Sequence, residues 1–290
     1  MMKLFTLMAL VFLCTVANAQ TEPGKEPDTI RIGNIIIIKQ GGDKDNEDKK
    51  RHSKVIIGRN HKKKAANVST NWGIIDLGIA NYSDETNYGS AGNYLYNRAG
   101  AVPLGENDFK LKAGKSVNVN IWFFMQRLNL VKHHVNLKYG LGLELNNYRY
   151  KTTSSVSYLE QNPYITGQIS SPIIIRDSIK FTKNKLAADY LTVPFMLNFS
   201  TSPGYTNKGL SISAGVSAGY LYSQRNKQVS QERGKVKNKG DYDLERFKLS
   251  YVAEVGLGPV RLYGSYSPQS FYSRGLDMKP YNVGIRLSNW

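Results

Sequence analysis

The segment HVNLKYGLGLELNNY, residues 134–148, alternates apolar residues with polar residues or glycine from His134 to Asn146. Successive side chains of a β-strand point to opposite faces, so this alternation predicts a strand with one apolar and one polar face. The apolar face consists of Val, Leu and Tyr, and the polar face consists mainly of Asn, Gly, Lys and Glu. About ten such residues, tilted by about 40°, span the apolar band of a transmembrane β-barrel.

Seven further segments alternate in the same way, which predicts eight strands. They cover residues 72–82, 116–126, 191–199, 209–225, 246–257, 259–266 and 281–288. The connections alternate between short turns and longer loops, of which the longer ones cover residues 83–115, 149–187, 226–245 and 267–280. An even number of strands with long loops at one end and short turns at the other is the pattern of an outer-membrane barrel.

The kind of polar residue on these strands separates a membrane barrel from a soluble one. A soluble lipocalin-like barrel also alternates, but its polar face lies in water. Here the polar face is rich in Gly, Ser and Asn, and small residues fit the narrow lumen of eight strands. A serine in place of Gly142 is therefore predicted to be tolerated. Tyrosines are predicted to ring the outer rim, as at a membrane interface: Tyr82, Tyr148, Tyr150, Tyr190, Tyr220, Tyr222 and Tyr281.

These features predict an all-β fold: an eight-stranded antiparallel up-and-down transmembrane β-barrel with a short N-terminal extension, located in the cell outer membrane. The barrel is assigned to residues 69–290. Residues 1–19 resemble a cleaved signal peptide, with an apolar run before Ala17-Asn18-Ala19. Residues 20–68 are predicted to form a charged periplasmic extension or linker, in which two β-prone runs could pair as a hairpin.

The chain is strongly basic, with a formal net charge of +17. A basic exported protein is expected to meet anionic lipid or lipopolysaccharide, and no nucleic acid. One long loop region is predicted to hold a basic patch, consisting of Arg149, Lys151, Arg176, Lys180, Lys183 and Lys185. This patch is either a solvated charged surface or a contact with the phosphates of lipid A.

Seven charged residues are predicted to face the lumen: Asp76, Lys138, Glu144, Lys248, Glu254, Arg261 and Arg286. Burying a lone charge is costly, so these residues are expected to pair into a network. The network either stiffens a closed barrel or lines a gated polar path, and eight strands leave little room for a path.

No catalytic, cofactor or metal site is predicted. Two of the four histidines, His52 and His61, lie in the extension, and the others, His133 and His134, lie at a predicted periplasmic turn. Neither pair is near the outer rim, where a general base of a surface enzyme would act. Gly140 and Gly142 form a Gly-x-Gly pair without the following helix that an anion site requires. The sequence therefore predicts a non-enzymatic protein.

The strand YLTVPFML, residues 190–197, carries a proline that a closed barrel should place on its lumen face at a bulge. With Tyr190, Leu191, Pro194 and Leu197, this strand resembles the motif strand of the PorT-like outer-membrane β-barrel family. The resemblance extends to the export signal, the DTIRIG…IIII segment and the segment GVSAGYLYSQRNK.

The resemblance implies a structural or interaction role, for example as an accessory to protein secretion or envelope assembly. A periplasmic protein partner is expected to pair with residues 30–40, through Ile35–Ile38. A narrow small-solute channel and a soluble periplasmic ligand-binding barrel are the alternatives.

Overall fold

The computed structural model describes residues 29–32, 35–38, 54–57, 66–151, 155–164, 171–202, 209–257 and 260–288. The chain divides into two compact units, Met1–Lys64 and Ala65–Trp290. The predicted signal peptide, residues 1–19, and the predicted tight turn at residues 258–259 lie outside the described residues. In the described part of the chain, no helix has the length and hydrophobicity needed to cross a membrane.

The first unit contains a small antiparallel sheet. Its strands are β1 (Thr29–Ile32), β2 (Ile35–Ile38) and β3 (Lys54–Ile57), in the order β1-β2-β3. Strands β2 and β3 pair as the sequence suggested, and the first β-prone run folds back on itself to add β1. Both edges of β2 are therefore already paired, so a further strand could join this sheet only at β1 or β3.

The second unit is built on a closed ring of strands. Its described strands are β4 (Val68–Asp84), β5 (Leu95–Tyr96), β6 (Val117–Val131), β7 (Val135–Arg149), β8 (Val156–Leu159), β9 (Ile173–Arg176), β10 (Lys183–Ser200), β11 (Leu210–Ser230), β12 (Gly234–Lys239), β13 (Phe247–Leu257), β14 (Val260–Tyr266) and β15 (Met278–Leu287). Eight of them pair antiparallel in the order β4-β6-β7-β10-β11-β13-β14-β15. Strand β15 pairs again with β4, which closes the predicted eight-stranded barrel.

The outer surface of the barrel is a continuous apolar band. On β4, Leu77 is 50% exposed while its neighbour Asp76 is fully buried, and on β10 Phe195 is 54% exposed while Pro194 is buried. Soluble monomers rarely expose contiguous apolar surface of this extent, so the band faces lipid. The apolar face is thus outside and the polar face inside, the reverse of the soluble ligand-binding barrel.

A bulge in β6 reverses the predicted alternation of that strand. Trp122 pairs with Gly142 of β7, but Phe124 pairs with Leu141, so one extra residue is inserted between them. A bulge of this kind moves every later side chain to the other face. By the alternation of residues 116–126, Met125 is expected on the apolar, lipid-facing side together with Val117, Val119 and Ile121. It is instead completely buried and packs with Trp122.

Pro194 faces the lumen as predicted, but the predicted bulge is absent. The register of β10 with β7 is the same at Thr192–Gly142 as at Phe195–Tyr139, and only the intervening pairs are missing from the ladder. The missing N–H of a proline removes a ladder bond without requiring an extra residue. The irregularity of β10 lies on its other side, between Asp189 and Tyr190, where it pairs with β11.

Gly142 does not have the space that its lumen-facing position suggested. A Cβ atom there would lie 2.6 Å from the carbonyl oxygen of Ile121 and 2.8 Å from Cα of Trp122. Both atoms are backbone at the β6 bulge, so they cannot move aside without distorting the ladder. The expectation that Gly142→Ser is tolerated is therefore wrong.

We predict that Gly142→Ala lowers the free energy of unfolding by about 1–3 kcal/mol, the usual cost of forcing extra atoms into packed structure. Gly264→Ala is the matched control, because its Cβ would lie 3.6 Å from the nearest atom, the Asn282 carbonyl oxygen. Urea titration of each variant, folded in lipid vesicles and followed by tryptophan fluorescence, measures the difference. Equal stabilities would contradict the close approach at Gly142.

Candidate functional site: the occluded lumen and its cap

The lumen is organised around the carboxylate of Glu254 on β13, which is 2% exposed. Lys138 Nζ donates to both of its oxygens at 2.8 Å. Arg261 Nη1 donates to Oε1 at 3.0 Å, and Arg286 Nη1 donates to Oε2 at 2.5 Å. Because β7 and β13 are not neighbours in the ring, the Lys138–Glu254 pair crosses the lumen.

Arg286 also binds Asp76, its direct partner in the β15–β4 ladder. Its Nε and Nη2 donate to the two carboxylate oxygens at 2.7 and 2.8 Å, a bidentate geometry that is among the stronger ion pairs. Asp76 accepts two further hydrogen bonds, from the Trp122 indole at 2.7 Å and the Asn120 amide at 3.1 Å. This carboxylate on β4 thus accepts hydrogen bonds from both neighbouring strands, β6 and β15.

A second ion pair crosses the lumen nearer the long loops. Lys248 of β13 donates to Glu144 of β7, and its ammonium also lies 4.5 Å from the centre of the Tyr190 ring. Glu144 accepts additional hydrogen bonds from the amides of Asn146 at 2.9 Å and Asn282 at 3.1 Å. The seven residues predicted to face the lumen are all buried and all paired, in two groups. We call this set the lumen network.

The lumen network leaves little empty space. A cavity of about 30 Å³ lies beside Glu144, Glu254 and Arg286. A single water needs about 10–15 Å³ on this measure, so the cavity holds about two or three waters at most. Side chains therefore fill the middle of the barrel, as the small diameter of eight strands leads one to expect.

Several neutral side chains that were not predicted as site residues complete the lumen network. Tyr263 donates from its hydroxyl to Asn118, whose amide donates to Asn146 at 2.8 Å. The Trp122 ring lies 5.5 Å from the Arg286 guanidinium. Tyr263, Asn118 and Trp122 lie at positions of their strands that alternation assigns to the lumen face. Alternation, together with the hydrogen-bonding capacity of these side chains, was the sequence signal that could have identified them.

The long loops fold into a cap over one end of the barrel. Strand β9 pairs with β8 and with β5 in a small sheet, and a single helical turn, Glu106–Phe109, lies between β5 and β6. The cap has its own aromatic core, in which Tyr158 OH lies 2.5 Å from the hydroxyls of both Tyr150 and Tyr272. Burial raises the pKa of Tyr150 to about 12, so this cluster is neutral at physiological pH.

Most of the tyrosines predicted to ring the outer rim lie inside instead. Tyr82, Tyr148, Tyr150 and Tyr190 are buried in the core that joins the cap to the upper lumen. Tyr220 and Tyr222 do point outward and are about half exposed. Alternation along the strands places Tyr82, Tyr148 and Tyr190 on the lumen face. It predicted the direction of these side chains better than the general enrichment of tyrosine at membrane interfaces did.

The predicted basic patch is divided between two surfaces. Arg176 belongs to the cap, where it donates to Asp108 at 2.6 Å and to backbone carbonyls, so it is internally paired. Lys151 and Lys180 are exposed in loops. Arg149, Lys183 and Lys185 lie instead at the ends of β7 and β10.

The two histidines within the described residues lie at the short β6–β7 turn. His133 has a positive φ of 60°, and His134 Nδ1 lies 2.9 Å from the Ser200 carbonyl oxygen. In the described part of the chain, no three His, Cys, Asp or Glu side chains are grouped as metal ligands would be.

A closed eight-stranded ring, an apolar outer band and a lumen filled by ion pairs define an outer-membrane β-barrel protein. The family model described as the outer membrane protein beta-barrel domain matches residues 80–273. The chain belongs to this family, and its location is the outer membrane.

Two solved structures are similar to this chain. One is the crystal structure of Ail, the attachment invasion locus protein of Yersinia pestis, at 11% identity and a TM-score of 0.31 over 75% of this chain and 98% of that one. The other is Ail in complex with the heparin analogue sucrose octasulfate, at 11% identity, a TM-score of 0.29 and the same coverage. No curated protein sequence matches this chain.

Proposed function

We propose that this chain is a non-enzymatic outer-membrane protein with a structural or interaction role, and that it conducts no solute. The observation that carries the proposal is the lumen network, which fills the barrel with two ion pairs that cross it. The folded cap adds a second layer of packed side chains at the long-loop end. A narrow small-solute channel would need a continuous polar path, and the small cavity beside Glu254 argues against one.

Conductance in planar lipid bilayers tests this part of the proposal. The purified full chain, shown to be folded by its heat-modifiable gel mobility, is expected to insert without producing steady current steps. A porin reconstituted in the same lipid serves as the positive control. Reproducible single-channel steps from the folded protein would overturn the closed barrel and favour the channel.

The resemblance to the PorT-like family suggests the more specific role of an accessory to protein secretion or envelope assembly. Within that role, the small sheet of the first unit is the proposed site for a periplasmic protein partner. Because β2 is already paired on both sides, the partner strand is expected to join at an edge strand instead of at Ile35–Ile38. Of the two edge strands, β1 (residues 29–32) is the one that overlaps residues 30–40.

Removal of residues 20–64, with the signal retained, tests the role of the first unit in the native host. We expect the shortened barrel to reach the outer membrane in a folded form but to fail to restore protein secretion to a strain lacking the gene. Complementation by the full chain is the control. Full secretion with the shortened chain would show that the sheet has no part in the function.

A further inference from the structure

A row of cations lies on the outer face of β7, β10, β11 and β12 at the long-loop end. Arg149, Lys185, Lys227 and Lys237 are direct partners in three successive ladders, so they form a single row across four neighbouring strands. At the usual strand spacing of about 4.8 Å, the row spans about 14 Å. We call these four residues the cationic row.

The cationic row faces away from the barrel interior. The intervening side chains Asn184 and Asn226 are buried and hydrogen bonded to each other at 3.1 Å. Since successive side chains alternate, their neighbours Lys185 and Lys227 point outward. Further cations lie around the row on the same four strands: Lys183, Arg225, Lys235 and Lys239.

Little negative charge balances this surface. Asp189 forms an ion pair with Arg225, and Lys185 donates to the neutral amide of Asn147 at 2.7 Å. The Lys185 ammonium is repelled by Lys183, Lys227, Arg225 and Arg149. Like charges that face each other across a ladder destabilise a sheet. The row therefore costs folding free energy unless an anion occupies it. The buried Nε of Arg149 also has no hydrogen-bond partner among the described residues.

The height of the cationic row relative to the apolar band identifies the ligand. On β10 the apolar band ends at Leu191. Lys185 lies six residues closer to the long loops, which is about 20 Å along the strand. That level lies above the hydrocarbon, in the layer of charged head groups. Arginine and lysine bind phosphate through charge-assisted hydrogen bonds, which strengthen in such an environment.

We propose that the cationic row binds the phosphorylated head group of lipopolysaccharide in the outer leaflet. This site goes beyond the proposed interaction role, and it involves different residues from the periplasmic sheet. From the sequence, a contact with lipid A was predicted as one of two alternatives for the basic loop patch. The structure moves that contact to a strand surface that includes only Arg149, Lys183 and Lys185 of the original six.

The triple variant Lys185→Gln/Lys227→Gln/Lys237→Gln tests the proposal, with Lys112→Gln/Lys115→Gln/Lys132→Gln as a charge-matched control at exposed positions outside the row. The full chain in nonionic detergent is titrated with purified lipopolysaccharide at low salt. We expect the row variant to bind at least tenfold more weakly and the control to bind like the wild type. Raising the salt concentration should weaken wild-type binding.

Two further measurements distinguish the ligand and the role of the row. Lipopolysaccharide stripped of phosphate should bind the wild type as weakly as native lipopolysaccharide binds the row variant. In the absence of lipopolysaccharide, the row variant should be at least as resistant to urea as the wild type, because repulsion has been removed. Unchanged binding by the row variant, equal loss in the control, or complete displacement by inorganic phosphate would overturn the proposal.

Discussion

Glu254→Gln is expected to destabilise the barrel by about 3–5 kcal/mol, the cost of removing one partner from a buried ion pair. Glutamine has nearly the same volume, so the change removes charge with little change in packing. Lys138, Arg261 and Arg286 all donate to this carboxylate. After the substitution, the lumen network keeps two carboxylates against four cations, and Lys138 and Arg261 each lose the carboxylate that they bind.

The measurement is urea unfolding of the protein folded in lipid vesicles, followed by heat-modifiable gel mobility. Glu106→Gln is the matched control, because it removes the same charge from an ion pair with Lys110 whose two side chains are about half exposed. Exposed pairs of this kind contribute at most about 1 kcal/mol. Similar losses for the two variants would show that Glu254 is not the centre of the lumen network.

A second substitution separates lost charge balance from lost packing. Adding Lys138→Met to Glu254→Gln removes a buried cation that has lost its ion pair with Glu254, so the double variant is expected to be more stable than Glu254→Gln alone. Residues in one ion-pair network couple by about 0.5–3 kcal/mol in such cycles. Strictly additive effects would instead mean that Lys138 and Glu254 do not interact energetically, despite their contact across the lumen.

The sequence predicted the strands and faces well because both depend on local alternation. Every strand of the ring was expected. The lumen charges lie on the face that alternation predicted, and they meet because a closed ring brings all inward positions to one axis. The alternation of side chains along one strand cannot predict a bulge, because a bulge depends on how two strands pair. Met125 was therefore assigned to the wrong face after the extra residue between Trp122 and Phe124.

The long connections were harder to predict than the strands. Residues 226–245 were expected to form a loop, yet β11 continues to Ser230 and returns as β12. The cap core joins residues far apart in sequence, such as Tyr94 and Tyr272. No local pattern encodes such contacts, and the cationic row arises only because β12 aligns Lys237 with Lys227.

The second large effect on stability is expected at Leu141, because the apolar face of the barrel contacts lipid. This residue lies near the middle of β7, on the outer face, with the buried Gly140 and Gly142 on either side. Leu141→Arg places a charge at the centre of the apolar band, where the cost is about 2–4 kcal/mol. We expect the variant to fold poorly into lipid vesicles and to be depleted from the outer membrane.

Depth in the membrane provides the control for this prediction. Leu257 is also on the outer face, 62% exposed, but it is the last residue of β13 beside the short turn. Near the interface the same Leu→Arg change costs only about 0–1 kcal/mol, because the long side chain reaches the polar head groups. Urea titration of both variants in vesicles should therefore give clearly different losses. Equal losses would mean that the cost reflects local packing, and a negligible loss at Leu141 would mean that the face of β7 carrying it does not contact lipid.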